Sequence, residues 1–301
     1  MVTTIKVLEI IASPLVALII GILFLGLFRK MMARIQWRYG PPLIQPVIDL
    51  VRLFSQRGFS HGAIFDMGII ISLAGTLVLI LFIPIGGMCP LESTGGLLVI
   101  LYVMLFAPIG IALSGGGGVN PNISIGISRK LILTLSYEVP FIFIILALMS
   151  YYRSISIVEI VNAQAHFRWS LFSPLFLSGV AYFMILPAML GIRPFDIAGA
   201  PQEISSGAYV EYGGKYLAFA KIEHALALFI IIALFVNLFL GGGNLLTFLL
   251  KMLAVFVTGV FIHAVFPRFR IEQATKYLWF WPTIISFISL IFIQLIRWQN
   301  G

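Results

Sequence analysis

Long apolar runs broken by short polar stretches make up this chain, and the runs set its elements. They fall at about 7–28, 63–85, 96–114, 129–150, 171–192, 217–240, 245–266 and 278–296, each long enough as a helix to cross a hydrocarbon core of roughly 30 Å. The pattern predicts an all-α, polytopic integral membrane protein with about eight transmembrane helices. A β-barrel would alternate apolar and polar residues in segments of about ten, and these runs do not alternate. One apolar pattern is shorter. Over about 43–56, Leu43, Val47, Leu50, Val51 and Phe54 recur at helical spacing, with Asp49 and Arg52 on the other side. It predicts one amphipathic helix lying in the interface or packed under a partner subunit. Residues 1–301 read as a single membrane domain, with a long polar loop over about 193–216. Gly115 to Gly118 and Gly241 to Gly243 read as flexible turns; the first lacks the strand and the Lys-Ser/Thr ending of a phosphate loop. No internal repeat is visible, which argues against an inverted-repeat transporter.

Composition supports the membrane class and changes how charge is read. The chain is 60% hydrophobic and 10% charged, with a mean hydropathy of +1.08; soluble domains carry about 25% charged residues. The net charge of +8 would suggest nucleic acid in a soluble protein. Here the cations lie mostly in loops, so topology is the simpler cause and no nucleic acid partner is expected. Odd-numbered loops hold thirteen cations: Arg29, Lys30, Arg34, Arg38, Arg52, Arg57, Arg129, Lys130, Arg193, Lys215, Arg268, Arg270 and Lys276. The other side holds Lys6, Arg153, Arg168 and Arg297, while Lys221 and Lys251 fall within spans. This predicts a multi-pass cell-membrane protein with odd-numbered loops cytoplasmic and both termini external. Arg29-Lys30 after the first run mark a retained span rather than a cleaved signal. The single Cys89 excludes an internal disulfide and a thiolate cluster held by this chain alone.

Against so apolar a background, 193–223 stands out, carrying Arg193, Asp196, Glu203, Glu211, Lys215, Lys221 and Glu223. It reads as a polar loop and helix start lining a water-filled cavity, its acids carrying protons or coupling a redox partner to ion movement. The plain alternative is a set of solvated loop charges; Glu223, inside an apolar run, is least open to it. Glu211 and Lys215 are spaced to pair on a helix, and a partly helical segment would put Glu203 and Glu211 broadly on one side. Glu138 lies near the middle of the fourth span, and Pro140 predicts a kink beside it that frees the Ser136 carbonyl. A neutral Glu tying helices together is the alternative to proton handling there. Lys251 is expected to snorkel to the outer surface, and His263 to be a packing histidine. His61, His166, His224 and His263 show no metal-ligand spacing, and no nucleophile-base arrangement appears. Trp279, Trp281 and Trp298 suit interfacial belts.

Four stretches resemble one family. RYGPPLIQPVIDLVRLF (38–54) resembles the signature after the first span of subunit 1 of respiratory complex I, the H-type membrane subunit of NADH:quinone oxidoreductase. SRKLILTLSYEVP (128–140), RPFDIAGAPQEISSGAYVEYGGKYLAFAKIE (193–223) and FPRFRIEQATKYLW (266–279) resemble its fourth span, longest cytoplasmic loop and last cytoplasmic loop, in family order. The resemblance implies a membrane anchor and coupling subunit at the joint between a peripheral electron-transfer arm and an ion-translocating arm. It carries over Glu138, Glu203, Glu211 and Glu223 as coupling acids, with Asp196 of the Pro-Phe-Asp start, and Asp49 of the interfacial helix. Arg38, Asp49, Arg52, Arg193 and Lys215 are expected at the junction with the peripheral arm.

The departures from the family pattern matter as well. Quinone-using relatives commonly carry Glu-x-Glu shortly after Pro-Phe-Asp, where this chain has Gly199 and Pro201. RxGPPxxQP, with Pro42, looks more like the branch found in membrane-bound, energy-converting NiFe hydrogenases. The resemblance thus implies ferredoxin-driven electron transfer, with hydrogenase-like large and small subunits, a ferredoxin-like subunit and antiporter-like membrane subunits as partners, in the lipid membrane, moving protons or sodium. Iron–sulfur clusters, and a NiFe centre, would lie in those partners; no cofactor or metal is expected in this chain, which is not catalytic alone. The alternatives are a quinone-binding subunit, which the missing acids disfavour, and a sulfane- or polysulfide-reducing relative. A stand-alone transporter fits poorly with the interfacial helix and the large polar loop.

Overall fold

The computed structural model describes residues 2–92, 96–118, 120–165 and 169–299, with the backbone alone at 2–5 and 201. His166 and Arg168 lie outside the described residues. The described chain is helical, in the order α1 (Val2–Ile35), α2 (Gln45–Ser55), α3 (Ala63–Leu81), α4 (Gly96–Val103), α5 (Phe106–Gly115), α6 (Pro121–Tyr152), α7 (Ile157–Ala163), α8 (Phe176–Met189), α9 (Pro201–Ile204), α10 (Lys215–Phe239), α11 (Leu245–Val265) and α12 (Ile271–Gln299). The fold is all-α and polytopic. Among the described residues, seven helical spans are long and apolar enough to cross a membrane, α4 and α5 together forming one of them.

Three of the runs differ in detail from the sequence reading. The run at 171–192 yields α8 of 14 residues, about 21 Å long and short of a straight crossing. The run at 96–114 is broken at Met104 and Leu105, because Pro108 has no N–H to offer the Met104 carbonyl. The fourth span begins at Pro121, not near 129. Asn120 caps it, accepting the Asn122 N–H at 3.0 Å, and Pro121 takes the first helical position. The helix then runs through Pro140 to Tyr152 without a break.

Helix α10 is the hub, with 83% of its most apolar stretch buried against 22% for α12. Its Phe235 and Phe239 pack against Tyr182 of α8, and its Phe229 against Phe248 of α11, in the main core. Glycines let its neighbours in: a Cβ at Gly21 of α1 would strike the Ala225 carbonyl. Beyond α10 the chain turns through Gly241, Gly242 and Gly243, all at positive φ. Lys251 reaches from the first turns of α11 to the loop that precedes it. Its Nζ donates to the carbonyls of Leu240 (2.6 Å) and Gly242 (2.7 Å), because the end of α10 leaves acceptors within reach. Helix α2 lies against α1 and α10, tied by Arg29 to Asp49 at 2.8 Å. Ile44, Val47, Ile48, Val51 and Phe54 remain exposed beside it.

Candidate functional site

Beneath the 193–214 loop lies a cavity of about 240 Å³, walled by α6, the end of α8, the loop and α10. Lys130, Asp196, Tyr209, Glu223 and His224 supply its polar lining. Glu223, only 7% exposed, stands on the hub helix. Lys130 stands on α6 because that helix starts early, carrying the residue out of the loop and into the wall. A smaller cavity of about 60 Å³ continues between Lys130, Glu223, Tyr137 and Thr76. A third, of about 10 Å³, holds Glu223 with Ser72, Tyr209 and Tyr212. Glu223 therefore borders three spaces, the smallest about the size of one water. Charged groups sharing polar cavities in an apolar bundle have the arrangement expected of a proton or ion route.

A lattice of charge forms the roof. Asp196 accepts from Arg268 at 3.0 Å. Arg268 also lies 3.8 Å from Glu203, and Arg129 donates to Glu203 at 2.8 Å. The Arg129 hydrogen bond holds the Glu203 carboxyl below its usual range. Apolar contacts fix the same roof: Phe195 packs between Phe269 and Tyr277, and the Phe269 N–H donates to the Pro194 carbonyl at 2.9 Å. Arg193 donates its backbone N–H to Nδ1 of His263 at 3.0 Å, so His263 is a satisfied packing histidine.

The structure brings Asp196 and Glu223 to one cavity and places Glu203 at its rim through Arg268. Glu138, half-buried on α6, lines none of these cavities. Glu203 and Glu211 do not share a helical face. Ser205 and Ser206 adopt left-handed backbone conformations that end α9 at once. Glu211 sits instead beside His61, at 3.9 Å, and accepts the Asn120 N–H at 3.2 Å. Helix α10 begins only at Lys215, whose ammonium lies over the Tyr216 ring at 5.1 Å, so Glu211 is not one helical turn before it. Arg38 and Arg52 are exposed near α2, away from the cavity. Asp49 is held low in pKa, chiefly by its Arg29 hydrogen bond. Tyr209 is pushed well above the ordinary phenol range by burial. Sequence reasoning missed Lys130, His224, Arg129 and Arg268 as site residues. Asn120-Pro121 was the signal that would have placed Arg129 and Lys130 on a helix; for Arg268 no local signal exists.

The fold and site define an all-α membrane bundle with a charged cavity under a salt-bridged loop. Its family is given by comparison. The chain belongs to the NADH dehydrogenase family, whose model matches residues 8–294, and is a membrane subunit of the complex I-like kind. It is 29% identical to the H-type subunit of NADH-quinone oxidoreductase from Dehalococcoides mccartyi, over 90% of this chain and 80% of the relative. It is also 29% identical to the H-type subunit of F(420)H(2) dehydrogenase from Methanosarcina mazei, over 87% and 86%. A solved structure, the membrane-bound sulfane sulfur reductase, an archaeal respiratory membrane complex, contains a chain with 40% identity and a TM-score of 0.91, covering 96% of this chain and 99% of that one. Among the described residues no three His, Cys, Asp or Glu side chains gather as a metal site.

Proposed function

We propose that this chain couples electron transfer in a peripheral arm to proton or sodium movement through antiporter-like membrane partners. The observation that supports it is Glu223, a buried carboxylate on the hub helix that borders three cavities and shares the one beneath the loop with Lys130, Asp196 and His224. The odd-numbered loops face the cytoplasm in this reading and both termini face outward, which takes the seven long spans plus an eighth crossing made by α8 together with the apolar turns that flank it. Arg38, Asp49, Arg52, Arg193 and Lys215 then lie on the side of the peripheral arm. A charge or shape change in that arm acts on the roof formed by Arg129, Glu203, Arg268 and Asp196. Asp196 also lines the cavity, so displacing it alters the field at Glu223, which takes up or releases a proton. Glu211 and Glu138 extend the route, the latter deeper in the membrane.

Ferredoxin is the electron donor in this reading, and the iron–sulfur clusters belong to partner subunits. Gly199 supports a branch without quinone. It lines the cavity where quinone-using relatives carry an acid, and a Cβ there would meet nothing within 4 Å. The cavity thus has room for a side chain that this sequence does not supply. A hydrogenase-like arm with a NiFe centre follows from the motifs. The likeness to the sulfane sulfur reductase, at 40% identity, favours a sulfur-reducing arm instead. Nickel content and product, hydrogen or sulfide, of the purified complex separate the two. For coupling, the Glu223→Gln complex in vesicles is expected to keep electron transfer while losing ion uptake. Full pumping by that variant would overturn the reading.

A further inference from the structure

The start of α12 carries a feature that the coupling route does not use. Two open apolar clefts meet there. The larger, about 840 Å³, is walled by Phe269, Tyr277, Trp279, Phe280 and Trp281, with Lys276 at its edge. The smaller, about 360 Å³, is lined by Ile132 and Leu135 of α6 together with Thr275, Lys276 and Trp279 of α12. Lys276 and Trp279 belong to both, so one cation and one indole stand between two apolar clefts. Trp279, Phe280 and Trp281 are each more than half exposed.

The other polar groups of the clefts are already engaged. Ser136 donates to the Ile132 carbonyl at 2.7 Å, Thr275 to the carbonyls of Ile271 and Glu272, and Gln273 accepts the Arg270 N–H. The Lys276 ammonium makes no hydrogen bond or ion pair among the described residues. Arg268 is already paired with Asp196 and Glu203, which leaves Arg270 and Lys276 against a single acid, Glu272, over 266–276. The site therefore attracts negative charge at one point and apolar chains on either side of it.

We propose that this double cleft binds one anionic phospholipid, its phosphate on Lys276 and its two chains on either side of Trp279. Basic residues at the end of a membrane helix attract anionic headgroups, and tryptophan suits the headgroup level. A partner helix fits less well. Helix docking in a membrane favours small residues that allow close approach, whereas the larger cleft is walled by aromatics and Trp279 stands between the two. The site does not depend on the coupling route.

The test uses the intact complex in phosphatidylcholine vesicles containing photoactivatable phosphatidylglycerol, with cross-linked peptides mapped. Labelling is expected at 132–136 and at 276–281. Lys276→Ala is expected to lower it about fivefold, the loss of one surface cation's attraction, and Lys276→Arg to restore it. Photoactivatable phosphatidylcholine should label weakly and indifferently to Lys276, and inorganic phosphate should not compete. Elution of each variant as an assembled complex controls for folding. Equal labelling by both lipids, unchanged in Lys276→Ala, would overturn the proposal. So would an amine cross-link from Lys276 to another membrane subunit with no lipid label, which would assign the clefts to a partner helix.

Discussion

Arg268 ties two loops together with one side chain. Its guanidinium meets Asp196 at 3.0 Å and lies 3.8 Å from Glu203, while its Nε is buried without a partner. An arginine so placed keeps its position only while both carboxylates remain. Arg268→Gln is expected to loosen 193–214 by about 1–2 kcal/mol, allowing for its partly exposed partners; limited proteolysis of that loop measures it. Asp49 yields a pH expectation. Its folded pKa lies below the ordinary value of 3.8 because Arg29 and Gln45 bond the charged form. Its contribution is therefore complete above that value and fades only as pH falls through the lower folded one. The protection of α2 amides, corrected for the intrinsic pH dependence of exchange, should stay constant from neutral pH to about 4 and fall below it. In Arg29→Gln, the α2 exchange should already be faster at neutral pH. Glu223 was legible in the sequence because an acid inside an apolar run is the least open to being a solvated loop charge. Lys130 was not, because a cation at the edge of an apolar run looks like a loop residue until the helix start is known.

At the scale of elements, close helix crossings rest on small residues. Gly68 and Ser72 of α3 face Gly110 and Ser114 of α5. A Cβ on Gly110 would stand 2.5 Å from the Ser72 nitrogen and 2.6 Å from the Gly68 carbonyl oxygen, both backbone atoms that cannot yield. Gly110→Leu should therefore part the two helices and cost about 1–3 kcal/mol, seen as earlier thermal loss of the complex. Gly126 of α6 has a similar role against the loop. A Cβ there would lie 2.6 Å from the Ala208 nitrogen and 2.7 Å from the Gly207 Cα. Gly126→Val is expected to displace 207–208 and reduce coupling, measured as ions moved per electron pair, although it touches no acid. The spacing of small residues at 68/72 and 110/114 was visible in the chain. Which helix each pair meets was not, since spacing names a face and not its partner.

For the whole molecule, Cys89 probes sidedness. It lies between α3 and α4, and burial pushes its thiol up to about 11. Only the thiolate reacts with a maleimide, so labelling should be slow at neutral pH and rise roughly tenfold per pH unit toward 11. With the odd-numbered loops cytoplasmic, an impermeant reagent should reach Cys89 only from outside the cell and an introduced Ser55→Cys only from inside. The reverse pattern would invert the topology.

The apolar runs by themselves determined the class, the helical content and the amphipathic helix at 43–56. A hydrocarbon solvent requires every backbone group to be bonded within its own segment, so hydropathy alone dictates helices. The motifs of 38–54, 128–140, 193–223 and 266–279 carried the family. Tertiary structure alone decided that α10 is the hub, that Glu203 answers to Arg129 and Arg268, and that Glu223 shares cavities with Lys130, Asp196 and His224. Those groups lie on different helices and loops, far apart in the chain. Their proximity depends on how helices cross and where a polar loop folds back, which a one-dimensional hydropathy pattern does not encode.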